Sequence, residues 1–166
     1  MRMTRGVLAL AGAAVLLGGI TPATASTFLK VDVPTLRGMS EAVVQAKVVD
    51  VQSAWNAEGT AVFTHVTLEV TGRLHGSADE QIVVRVPGGT VGGFTSVMEG
   101  APVFQVGDHV VAFVARWHDG VPMVAGYAQG LSRVKSDKLG NLMLEGGVAD
   151  GMHLPELGRQ LSRAGN

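Results

Sequence analysis

Along residues 62–70 apolar and polar side chains alternate almost without a break. Val62, Thr64, Val66, Leu68 and Val70 fall on one side of an extended backbone, and Phe63, His65, Thr67 and Glu69 on the other. Period two over this length predicts a strand with one face on a core and one partly wet. Residues 42–51 are also rich in β-branched side chains, but valines occur on both sides, which predicts a strand covered on both faces. Residues 82–86 predict a third strand and 109–117 a fourth. Shorter strands are expected over 121–125, 131–134 and 142–144. Between them lie turn signals at Asn56-Ala57-Glu58-Gly59 and His118-Asp119-Gly120, around Asp137 and Asn141, and a polar connection over 73–80.

Two stretches carry a helical signal instead. Residues 34–42 predict a short helix with Asp32 as its cap, weakened by Gly38. Near the end Leu154, Leu157 and Leu161 are spaced by three and four, and Pro155 suits a first helical turn. This predicts an amphipathic helix within residues 151–166, placed to cap one end of a barrel.

The least regular stretch joins the third and fourth strands. Pro87, Gly88, Gly89, Gly92 and Gly93 leave the strand, and Gly100, Pro102 and Gly107 lead back. Glycine permits positive φ and close backbone approach, while proline bars a ladder donor, so these residues predict a corner with an arm over 88–102. Long excursions from compact folds commonly carry function. Phe94, Val97, Met98 and Phe104 are the candidate apolar anchors for a partner; folded back, they would form a lid.

Before all of this stands a leader. Arg2 and Arg5 precede an apolar run over 7–17, and Ala23-Thr24-Ala25 offers small residues at a cut, which predicts a signal peptide over 1–25 cleaved after Ala25. The apolar core is shorter than the roughly 20 residues of a spanning helix. The expected product is secreted or periplasmic and off the membrane, with a single domain over 26–150 and the helical tail. Losing Arg2 and Arg5 leaves 11 basic against 14 acidic side chains, and nowhere do the basic residues form the stripe of a nucleic-acid surface. No cysteine is present, so disulfides, zinc thiolates and thiol nucleophiles are excluded.

Catalytic patterns are not met. The glycines are followed by Phe94 and Thr95 and lack the lysine of a phosphate loop. His65, His75, His109, His118 and His153 show no metal-ligand spacing, so no metal or cofactor is expected. Ser96 and Ser132 lack a nucleophile motif, and the adjacent Asp79 and Glu80 point apart. Asp108 reads as a turn carboxylate bonded to local amides. Trp55 and Trp117, at strand ends, read as barrel plugs, with recognition as the alternative.

Strands with glycine corners and helices only at the ends predict an all-β fold, a small Greek-key β-barrel of the oligonucleotide/oligosaccharide-binding (OB) type with short flanking helices; a β-sandwich is the alternative. The order of residues 42–48, 64–70, Pro87-Gly88-Gly89, 100–104, 106–113 and Gly126-Tyr127-Ala128-Gln129-Gly130 resembles a group of small, uncharacterised secreted bacterial proteins with an OB-like domain. More remotely, the first two strands are similar to netrin-like domains, including inhibitors of metalloproteases. Those dock through a cysteine-tethered N-terminus, whereas this chain would begin Ser26-Thr27-Phe28. The expected function is a non-enzymatic binding module for a protein or extracellular polymer. A protease inhibitor, and a hydrolase assembling histidines and carboxylates in space, are the alternatives.

Overall fold

The computed structural model describes residues 29–163. The expected signal peptide and its cleavage position lie outside the described residues. A short helix α1 (Val33–Gly38) leads into two long strands, β1 (Ala42–Trp55) and β2 (Val62–Gly76), followed by β3 (Gln81–Pro87). The arm forms a small hairpin of β4 (Gly89–Val91) and β5 (Phe94–Ser96). Then come β6 (His109–Arg116), β7 (Pro122–Val124), β8 (Leu131–Ser136), β9 (Leu142–Glu145) and helix α2 (Leu154–Arg163).

Helix α1 starts where the sequence says it should. The Asp32 carboxylate accepts the Thr35 amide at 2.9 Å, and Pro34 stands in the first turn, where its missing donor is not needed. The helix stops at Gly38, short of residue 42, and the chain enters β1 instead.

Seven strands form one antiparallel sheet in the order β3-β2-β1-β6-β8-β9, with β7 also on β6. The second edge of β6 is divided: residues 110–112 pair with β8, and 114–116 with β7. β1 and β2 run longer than their apolar patterns, so the first half of the polar connection expected over 73–80 is strand, up to Gly76. Their register shifts three times, between Val43 and Val44, Gln45 and Ala46, and Val48 and Asp50. Such bulges bend a strand and raise its twist, so the sheet curls. It does not close: the fold is mostly β and its sheet antiparallel, but not a barrel. β7 comes alongside β3 with no backbone ladder between them, because three residues starting at a proline make a poor edge partner.

The curl has two hydrophobic cores, one on each face of β1 and β6. Val44, Ala46 and Val48 point with Val66, Leu68, Val84, Val110 and Ala112 into the concave side. Val43, Val111 and Phe113 point to the other side, where Leu36 of α1 and Leu157 and Leu161 of α2 cover them. This explains the two-sided apolar pattern of β1. It also corrects the position of α2, which covers a face of the sheet and does not cap a barrel end.

Candidate functional site

The arm is held by a chain of hydroxyls on the concave face. The Gly88 amide donates to the Val62 carbonyl at 2.9 Å, and Thr64 Oγ1 donates to the Gly88 carbonyl at 2.8 Å. Thr64 has one hydroxyl proton, so Ser53 is the donor in the 2.9 Å bond between the two side chains. Gly89 passes directly over this pair. A Cβ there would lie 2.3 Å from Ser53 Oγ and 2.5 Å from Thr64 Oγ1, so only glycine fits. Beyond it, Gly92 and Gly93 both have positive φ (56° and 85°) between the paired Val91 and Phe94, as a two-residue hairpin turn requires. Thr90 and Thr95 join their hydroxyls at 3.0 Å across the hairpin.

Between the arm and the sheet runs a groove of about 430 Å³. Val51, Val66 and Val86 form its floor, and Val97, Met98 and Phe104 come from the arm. None of the described residues lining it is charged. The four predicted anchors divide here. Phe104 is 8 % exposed and belongs to the concave core, with Ala101 packed beside it. Phe94, Val97 and Met98 are 50, 85 and 46 % exposed. The outgoing leg of the arm thus presents apolar side chains to solvent, and the returning leg plugs the core.

Trp55 extends this apolar surface. At the end of β1 it stacks on Phe94 with ring centroids 4.9 Å apart and planes tilted by 35°. It is 41 % exposed, so it is not the plug its strand-end position suggested. Val103, also exposed, lines the groove. Its exposure was readable from alternation with buried Pro102 and Phe104, whereas the meeting of Trp55 with Phe94, 39 positions apart in the chain, had no local signal.

The remaining corner residues serve the frame. Pro87 pairs with Phe63 at the end of the β2–β3 ladder, Gly100 accepts the Ala128 amide at 2.9 Å, and Gly107 donates to Val48 at 2.8 Å. Asp108 bonds the local Gln105 amide at 3.2 Å, as expected of a turn carboxylate. It also pairs with Arg133 at 3.1 Å, and Arg133 reaches on to the Val103 carbonyl at 3.0 Å. The base of the arm is therefore tied to β8.

A separate polar cluster sits where the sheet fails to close. The guanidinium of Arg85 lies 5.0 Å from the Phe63 ring centre and 5.4 Å from that of Trp117, and bonds Asp119 at 2.6 Å. Trp117 is thus a stacking partner at the seam and not a barrel plug. The bond from Arg85, and then the Val121 amide, lower the pKa of the Asp119 carboxyl. Cross-strand from Arg85 stands His65, half-buried. Among the described residues no group of three or more histidine, aspartate or glutamate side chains is placed to hold a metal ion, and no helix is long and apolar enough to cross a membrane. No protein-family model matches this chain, and comparison with curated proteins and with solved structures finds no match.

Proposed function

We propose that this chain is an exported, non-enzymatic binding module that recognises a protein partner through the arm and the groove beneath it. One observation carries the reading. Of the eleven exposed large hydrophobic side chains among the described residues, Val97, Met98 and Val103 line this one groove, and Phe94, next in the chain to its lining residue Thr95, stacks on Trp55. Exposed apolar surface gathered in one place, with tryptophan, phenylalanine and methionine in it, is the composition of a protein-recognition patch and not of an ordinary solvated surface. The hydroxyl chain and the Asp108–Arg133 tie hold that patch on a curled sheet, which we read as an open relative of the OB architecture. Export follows from the leader pattern of residues 1–25.

The test compares the tagged protein with Phe94→Ser/Met98→Ser in capture from the native extracellular fraction, followed by binding to the purified partner. Both side chains are half-exposed, so the variant should keep its thermal midpoint. A partner held by the wild type and bound at least tenfold more weakly by the variant supports the reading, since two truncated anchors together should exceed about 1.4 kcal/mol. Equal affinity of the two proteins for every captured partner overturns it.

A further inference from the structure

We infer that the occupant of the arm groove is an uncharged apolar peptide segment in extended conformation. This rests on the reading of the arm as the recognition surface and names what that surface takes.

The lining decides the charge. Every described side chain lining the groove is aliphatic, aromatic, a thioether or a hydroxyl. A charged side chain or an anionic polymer entering it would lose water with no counter-charge to meet, which is strongly unfavourable. The nearest ion pair described at the base of the arm, Asp108 with Arg133, is already self-compensated.

The hydroxyls decide against a sugar. Ser53 is bonded to Thr64, Thr64 to the Gly88 carbonyl, and Thr90 to Thr95. They hold the arm and are largely spent on one another. Among the described residues the lining contains no amide, carboxylate or guanidinium side chain, the planar groups able to form paired hydrogen bonds with neighbouring sugar hydroxyls. What the groove offers is contact with methyl, methylene and thioether groups.

The backbone favours a peptide over a hydrocarbon chain. β5 is paired by β4 on one edge alone, and Thr95, Ser96 and Val97 all line the groove. An extended segment can add to such an edge by main-chain bonds while alternate side chains, about 7 Å apart, drop into the cleft. A volume of about 430 Å³ suits a few side chains of such a segment. The bare acyl chain of a lipid would leave the amides of that edge unused.

The experiment is an amide chemical-shift titration of the isotope-labelled protein with five probes, each taken to a few millimolar, the range of the weakest specific contacts. They are a capped hexapeptide of alternating valine and threonine, the same peptide with aspartate or with lysine for valine, chitohexaose, and an octyl glycoside below its micelle concentration. The valine peptide should give saturable shifts at residues 94–98 and 53–55. The charged peptides should bind at least tenfold more weakly, and the other two should move nothing in the groove. Met98→Asp should weaken the valine peptide at least tenfold at an unchanged thermal midpoint. Binding of a charged peptide, the sugar or the glycoside as tight as that of the valine peptide overturns the inference, and so does a valine peptide that shifts no groove resonance. If partner capture still depends on Phe94 and Met98 in that case, only the identity of the occupant has failed. If capture is indifferent to them, the recognition surface itself is misplaced.

Discussion

Replacing Gly89 by alanine tests whether the arm is held as tightly as its hydroxyl chain implies. The new Cβ would fall 2.3 Å from Ser53 Oγ, 2.5 Å from Thr64 Oγ1 and 2.9 Å from Ser53 Cβ, at a φ of +140° that other residues rarely adopt. The backbone strain alone costs about 1–3 kcal/mol. Relieving the overlap must push the hydroxyls apart and break one or both of their bonds, a further loss of about 0.5–1.5 kcal/mol each. The expected destabilisation is about 2–5 kcal/mol. With a urea dependence of about 2 kcal/mol per molar, the unfolding midpoint should fall by about 1–2.5 M. The companion measurement repeats Gly89→Ala in a Ser53→Ala/Thr64→Ala background. There both oxygens are gone and the penalty should shrink toward the strain alone, because residues in contact are not additive. A midpoint within about 0.3 M of wild type, or an equal penalty in both backgrounds, would show that the hydroxyls do not set the height of the arm.

Other perturbations reach other parts of the molecule. Arg85→Ala removes a cation from between two rings and should destabilise by about 2 kcal/mol in urea unfolding, taking about 1 kcal/mol per ring contact. The Asp119 carboxyl is held below its ordinary pKa, so the stability it adds is complete above the unfolded value near pH 4. That stability is lost as pH falls through the lower native value. Asp119→Asn should therefore narrow its stability gap to wild type as the medium is acidified below about pH 4, read from thermal midpoints across an acid series. Leu157→Ala empties a fully buried position between α2 and the sheet, for an expected loss of about 2–5 kcal/mol by the same unfolding assay. Gln129 accepts the Val31 amide and donates to the Leu29 carbonyl, both at 3.0 Å. Gln129→Ala should speed hydrogen exchange at Val31 while leaving β6 unchanged.

Local features of this fold could be read from the chain, and long-range ones could not. The strict alternation over residues 62–70 foretold the buried Val62, Val66 and Leu68, and His118-Asp119-Gly120 foretold the turn between β6 and β7. Asp32 with Pro34 marked the start of α1, and the leucine spacing marked α2 with Leu157 and Leu161 inward. The full lengths of β1 and β2 escaped, because Gln52, Arg73 and His75 look like polar connections beyond the ends of strands. They are carried as strand by pairing between β1 and β2, Gln52 with His65, Val44 with Arg73 and Val43 with His75, across a register that shifts at bulges. Closure escaped for a similar reason: whether β3 meets β7 depends on accumulated twist, which no local pattern encodes. Of the candidate site, the glycines and three exposed candidate anchors of the arm were visible, while Phe104 turned inward. Trp55 joined them only through the fold.

The alternation of β1 and β6 has a mechanical consequence. Neighbouring residues such as Val43 and Val44, or Val111 and Ala112, belong to opposite cores, so a single pair of strands serves as a shared wall. Neither half of the molecule can loosen by itself, since a shift that relaxes the packing under α2 displaces the same backbone that floors the groove. Damage on the helical side, far from the arm, should therefore be felt as a change in grip, and a bound segment should in turn stiffen the helices on the reverse of the sheet.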